Sequence, residues 1–112
     1  MSRLDAAFAA LADPTRRGVI RLLTKEPRRA GELAAALDVR ASALTRHLRI
    51  LRESGLVEEE PGAEDARVRV YRLRREPLEG LRRWIDEVES FWTGQLASFA
   101  RHVERRRPRP KP

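Results

Sequence analysis

Apolar residues recur at helical spacing in five stretches of this chain and at alternating positions near one hairpin. Residues 4 to 12, LDAAFAALA, read as a short apolar helix. Asp13, Pro14 and Thr15 open a second helix that runs to about Leu23, with Asp13 as N-cap and Pro14 at the first helical position, where its missing N–H is no loss. Lys25, Glu26 and Pro27 end it, and GELAAAL, residues 31 to 37, is a third helix of barely two turns. Asp38, Val39 and Arg40 make a tight turn into a fourth. Residues set 100° apart around that fourth helix put Ala41, Leu44, Leu48 and Leu51 on one stripe, and Ser42, Thr45, Arg46 and Arg49 on the opposite side. The leucine stripe belongs to a core. The other side faces water or an anion.

Gly55 stands where a left-handed residue stops the fourth helix. LVEEE and RVRVYRL then read as two strands, the second alternating Val68, Val70 and Arg72 against Arg67, Arg69, Tyr71 and Leu73, with PGAEDA as the turn. Pro77 opens a long final helix to about Glu104, in which Leu78, Leu81, Ile85, Val88, Trp92, Leu96, Phe99 and Val103 recur at three and four residues, and Trp84 and Phe91 widen the stripe. The expected fold class is mainly α: a winged helix-turn-helix with a two-stranded β-hairpin wing and a long C-terminal dimerisation helix. Residues 1–104 form one such DNA-binding domain, and 105–112, with three prolines and no apolar residue, form a disordered basic tail.

Charge sharpens the picture. The 24 Lys and Arg against 17 acids give a net charge of +7, which makes polyanions the default partner. Only Lys25 and Lys111 are lysines, an arginine bias that genome composition can also produce. The arginines of the fourth helix alone read equally well as a solvated face or as a nucleic-acid surface. A short helix, a three-residue turn and a wing around them favour the second, because a solvated face gives no reason for either neighbour. With no cysteine the chain has no disulfide and no thiolate metal site, and no apolar run approaches the ~20 residues needed to cross a bilayer. The expectation is a soluble cytoplasmic protein without membrane association.

ALADPTRRGVIRLL at 10 to 23, GELAAAL, LTRHLRILRESGLV at 44 to 57, VYRL at 70 to 73 and LRRWIDEVESFW at 81 to 92 together resemble the ArsR-type (ArsR/SmtB) winged helix-turn-helix repressors over about residues 5 to 104. The resemblance implies a homodimeric transcriptional repressor on a near-palindromic operator in double-stranded DNA. Its recognition positions fall on Ala41, Ser42, Thr45 and Arg46, the face the helical wheel gives independently. Arg46 is suited to guanine O6 and N7, Ser42 and Thr45 to a phosphate, a base edge or a thymine methyl, and Arg49 to the backbone. His47 lies nearer the leucine stripe and reads as a half-buried packing or hydrogen-bonding residue. In the family the first helix packs beside the last, which would add Leu4, Phe8 and Leu11 to a dimer interface built on Ile85, Val88, Trp92, Leu96 and Phe99.

The sequence departs from that family in three places. Arg40 and Arg29 stand where a serine cap is common, a loss of about 1 kcal/mol each unless Arg40 reaches a phosphate or Asp38 caps a shifted start. The wing sequence EEEPGAED carries Glu58, Glu59, Glu60, Glu64 and Asp65, which phosphates would repel, so wing contacts are expected only from Arg67 and Arg69. The metal-sensing cysteines are missing, and the last helix offers only His102, so neither a metal nor any cofactor is expected. That leaves control by concentration or by an unidentified small-molecule effector. No histidine stands by a plausible nucleophile and there is no Gly-rich phosphate loop, so an enzyme is not expected. The alternatives are an RNA-binding or ribosome-associated basic module, which calls for exposed aromatics, and a winged-helix domain used for protein association.

Overall fold

In the computed structural model, which describes residues 2–106, the element order is α1 (Arg3–Leu11), α2 (Pro14–Leu23), β1 (Arg28–Arg29), α3 (Ala30–Leu37), α4 (Ala41–Glu53), β2 (Val57–Pro61), β3 (Arg69–Leu73) and α5 (Arg75–Arg106). The architecture is the mainly helical winged helix-turn-helix expected, with one addition. β1 joins the hairpin to give a three-stranded antiparallel sheet of order β1-β3-β2, pairing Arg28 with Tyr71 and Arg29 with Val70. The described residues fall into two units, divided between Leu81 and Arg82.

Local chemistry sets the helix boundaries. Ser2 caps α1 by accepting from the Asp5 N–H at 3.1 Å, while the Asp5 carboxylate accepts from the Ser2 N–H. Asp13 caps α2 by accepting from the N–H groups of Thr15 (2.8 Å) and Arg16 (3.1 Å), bonds that hold its carboxyl below the usual aspartate range. Arg29 gives α3 no side-chain cap, but Glu32 accepts from its backbone N–H at 3.3 Å, so one end of a capping box survives.

The two helices of the helix-turn-helix end alike. Asp38 takes the left-handed conformation (φ +52°), with Asp38 N–H bonded to Ala35 O and Val39 N–H to Ala34 O. Gly55 does the same after α4 (φ +81°), with Gly55 N–H on Arg52 O and Leu56 N–H on Leu51 O. Because Asp38 closes α3 in this way it does not cap α4, and Arg40 at that position makes no side-chain cap bond either.

The core of the first unit gathers Ala7 and Ala10 of α1, Val19, Ile20 and Leu23 of α2, Leu33 and Ala34 of α3, Leu44, Leu48 and Leu51 of α4, Leu56, Val57 and Leu81. Leu33, Leu51 and Leu56 are wholly buried. Each such leucine is worth roughly 1.5–3 kcal/mol of burial. Ala41, expected on the same stripe, is exposed in the first turn of α4, so the stripe begins at Leu44.

Most boundaries fall within a residue of expectation, but β3 and both ends of α5 depart further. β3 begins at Arg69, and Arg67 and Val68 belong to the turn. That turn closes with Gly62 N–H on Val68 O at 2.8 Å, and a side chain at Gly62 would stand 2.9 Å from Asp65 O, so glycine is required there. α5 starts at Arg75, which puts Pro77 at the third helical position, still within the turn whose N–H groups lack intrahelical partners. At the other end Arg105 and Arg106, assigned to the tail, are helical, and the remainder of that expected tail, 107–112, lies outside the described residues.

In the second unit, the portion of α5 from residue 82 onward, every described residue is exposed, including Ile85, Val88, Phe91, Trp92, Leu96, Phe99 and Val103. Among the described residues no helix is long and apolar enough to cross a membrane.

Tyr71, the chain's single tyrosine, is half-buried on β3 opposite Glu59, and burial together with that carboxylate pushes its hydroxyl above the ordinary value of 10.0. Raising the folded-state value disfavours the phenolate in the fold, so the stability this contributes is complete below pH 10 and is lost as pH climbs through the folded-state value. Absorbance titration of the phenolate should therefore give a single midpoint above that of a free tyrosine. A midpoint at 10.0 or lower would mean that the side chain is solvated.

Candidate nucleic-acid interface

Burial of Leu44, Leu48 and Leu51 fixes how α4 is rotated, and the rotation decides which residues face outward. Ala41, Ser42, Thr45, Arg46 and Arg49 are all exposed on it, and Arg40 is exposed at its start. Thr45 donates its hydroxyl hydrogen to Ala41 O at 2.9 Å, so outward it presents a methyl group and oxygen lone pairs. That geometry suits a thymine methyl or a base-edge donor better than a phosphate, which needs a donor. The guanidinium groups of Arg40, Arg46 and Arg49 have no hydrogen-bond or ion-pair partner among the described residues. Unpaired cations occur elsewhere, Arg21 and Lys25 among them, but here three accompany one helix start with no acid between residues 39 and 52.

The N-terminus of α4 adds to this face. No side chain caps it, so its first N–H groups point outward unmatched beside Arg40, at the positive end of the helix dipole.

α4 is tied to the helices before it through Arg16. From the first turn of α2, the Arg16 guanidinium donates to Ala10 O at 2.6 Å and Ala9 O at 3.2 Å, at the C-terminal end of α1, and its Nη1 lies 3.3 Å from His47 Nδ1 on α4. One side chain thus joins three helices. His47 is half-buried, in keeping with the packing and hydrogen-bonding role expected of it.

The wing is electrostatically different. Residues 58–76 carry six acids and five arginines, and nearly all of them pair with one another. Glu58 accepts from Arg72, a bond that holds its carboxyl below the usual range, and lies 3.9 Å from Arg74. Arg72 also approaches Glu60 at 3.8 Å. Glu59 takes Arg52 of α4 and, at 3.5 Å, Arg69 of β3. Arg67, whose side chain is 91% exposed, is turned onto Asp65 at 3.3 Å, and its own backbone N–H bonds the same carboxylate and depresses it. Both arginines expected to serve the wing are therefore engaged by acids, whereas those of α4's outer face are not. Sequence reasoning passed over Arg52, which lies three residues beyond Arg49 on the same exposed side, and read Glu59 only as a repulsive acid, because its pairing depends on the hairpin register.

Of the dimer residues expected on α1, Leu4 and Leu11 pack partly against the core of their own unit, and Phe8 is 39% exposed. On α5, Ile85, Val88, Trp92, Leu96 and Phe99 are between 41% and 66% exposed. Among the described residues no group of three or more His, Cys, Asp or Glu side chains could hold a metal ion.

A short helix, a left-handed turn and a second helix with its cationic side outward, followed by a β wing, define a winged helix-turn-helix of the DNA-binding kind. Residues 11–60 match the family model of a helix-turn-helix domain. The chain is 37% identical to the HTH-type transcriptional regulator Rv2034 of Mycobacterium tuberculosis over 100 residues, covering 89% of this chain and 88% of that protein. Among solved structures, an ArsR family transcriptional regulator is 32% identical with a TM-score of 0.73, over 82% of this chain and 98% of that one. Another, described as a possible transcriptional regulator for arsenical resistance, is 35% identical with a TM-score of 0.63, over 91% and 96%. The chain belongs to the ArsR family of winged helix-turn-helix transcriptional regulators.

Proposed function

We propose that this regulator is a homodimeric repressor that reads a near-palindromic operator with α4 and does not sense metal. The observation that carries the reading is the outer face of α4, where Arg46 and Arg49 stand unpaired on a helix locked from behind by three buried leucines. Arg46, beside Ser42 and Thr45, is positioned among groups that address base edges. Arg49, one residue short of a further turn, addresses the backbone, as does Arg40 at the uncapped helix start. Repression needs no further activity, because occupancy of a site within a promoter is enough to exclude polymerase.

The dimer is supported by the second unit. Ile85, Val88, Trp92, Leu96 and Phe99 make an exposed apolar stripe at helical spacing, with Phe91 and Val103 beside it. Two such helices, related by a two-fold axis, would cover both stripes, and their two recognition helices would enter major grooves about 34 Å apart on a site of about 20 to 24 base pairs. RNA binding is less well supported: exposed Trp92, Phe91 and Phe99 lie on that stripe and none lies on the arginine face of α4.

The arsenical-resistance description belongs to the relative that carries it. Tight sites for arsenite, cadmium, copper(I) or zinc are built from thiolates and clustered imidazoles, and this chain has no cysteine and two histidines, of which His47 is already bonded to Arg16. An unidentified small-molecule effector remains compatible with the fold.

With roughly 8 phosphates neutralised per dimer, log K for an operator duplex should fall with log salt at a slope of about −7, and a flat response would contradict the reading. Arg46→Ala should relax base preference at a loss of about 1 to 3 kcal/mol per half-site, while Arg49→Ala weakens all duplexes alike. Equal, sequence-independent losses for both would show that Arg46 is no base reader. In a reporter driven by an operator-bearing promoter, Arg46→Ala should raise expression; a fall would mark an activator.

Charged replacements of Trp92 and Phe99 together should yield a species that sediments as a monomer at micromolar concentration and fails to hold the operator. If that double variant stays dimeric, the interface lies elsewhere.

Micromolar zinc, cadmium, copper(I) and arsenite should leave the protein on its operator. Stoichiometric release by any of them, reversed by a chelator, would reveal a site built from Asp, Glu and His.

A further inference from the structure

Glu59 occupies an unusual place for an acid. Along β2, Val57 and Glu59 point to one face of the sheet, the face of their cross-strand partners Leu73 and Tyr71, and Val57 is buried in the core. Only 23% of the Glu59 side chain is exposed, and a half-buried carboxylate needs cationic or hydrogen-bonding partners. It has two, from different elements: Arg52 in the last turn of α4 and Arg69 at the start of β3.

Those two arginines flank the surface assigned to DNA. Arg52 continues the exposed side of α4 that carries Thr45 and Arg49, seven residues from the first and three from the second, and Arg69 stands at the base of the wing turn. A row of guanidinium groups along such a helix would ordinarily follow the phosphate backbone. Here the row is unpaired at Arg46 and Arg49 and paired at Arg52.

We propose that Glu59 is an internal competitor of the DNA backbone: its carboxylate holds Arg52 and Arg69 where phosphate oxygens would otherwise bind them, and so lowers the sequence-independent part of the affinity. The proposal rests on the DNA-binding reading of α4. The Arg52 and Arg69 side chains are 43% and 58% exposed, so these ion pairs are weak and the carboxylate does not exclude phosphate; each arginine gains less by contacting DNA because it must first leave a partner of the same charge sign and similar geometry. For a chain of net charge +7, this restrains binding to any duplex and leaves recognition to the unpaired residues at the start of α4.

Glu59→Gln keeps the size and shape of the side chain, removes its charge and replaces one of its two acceptor oxygens, each of which faces an arginine, by an NH2 donor. The test compares wild-type and variant full-length protein on a random-sequence duplex of about 24 base pairs, long enough for both half-sites of a dimer, over a salt series. Glu59→Gln should bind about five- to tenfold more tightly near 0.1 M salt, and its salt slope should steepen by about 2 to 4, because up to two more arginines per protomer reach phosphates. Adding Arg52→Gln and Arg69→Gln should abolish the gain.

If Glu59 merely braced the wing against α4, the variant would bind more weakly and melt earlier, with no steeper slope, and that result overturns the proposal. A gain that survives loss of both arginines would also overturn it, since it would reflect net charge alone. Failure of the wild-type protein itself to bind any duplex at low salt would overturn the DNA-binding reading and this proposal with it, an outcome distinguishable from the other two.

Discussion

The burial of Leu44, Leu48 and Leu51 is the constraint on which the rest of the molecule depends. A helix has only one rotation that puts these three residues into the core, and in that rotation Ser42, Thr45, Arg46 and Arg49 face away from it. The packing partners come from α1, α2 and α3 and from Leu56 and Val57 just beyond α4, so the outer face of α4 is oriented by the core of the first unit. Arg16 adds a polar brace, joining the carbonyls at the end of α1 to His47 on α4. Loss of any one of the buried leucines to alanine would cost about 2–5 kcal/mol.

Against that fixed frame, charge is distributed unevenly. The stretch from Arg40 to Arg52 has four arginines and no acid, while residues 58–76 have more acids than arginines and pair them internally. The net charge of +7 is therefore a poor guide to where a polyanion would meet the protein. What distinguishes the candidate surface is the set of guanidinium groups without a partner among the described residues, together with a helix start whose N–H groups no side chain caps.

Much of this was legible in the sequence because it depends on local rules. Asp13 before Pro14 marks a helix start in any context, Gly55 marks a stop, and the three-and-four spacing of Leu44, Leu48 and Leu51 separates the two sides of α4 without knowledge of its neighbours. What could not be read depends on partners distant in the chain. β1 is two arginines with no alternation, a strand only because β3 lies beside it. Asp38 was readable as part of a turn or as a cap for a shifted start of the following helix, whereas in the structure it closes the preceding one in the left-handed conformation. The wing acids looked like a repulsive patch because their pairing needs the register, which the turn at Gly62 and the late start of β3 at Arg69 set. The brace made by Arg16 could not be read either, since nothing local says that its side chain folds back over the end of α1.

The central claim is that the outward face of α4, presented twice across a dimer axis, selects a DNA sequence. Selection of bound fragments from a random duplex pool by the purified full-length protein tests it most directly. The predicted result is enrichment of an inverted repeat whose half-sites lie about one helical turn apart, about 34 Å centre to centre. Recovery of bound fragments with no sequence enriched over the starting pool would contradict it.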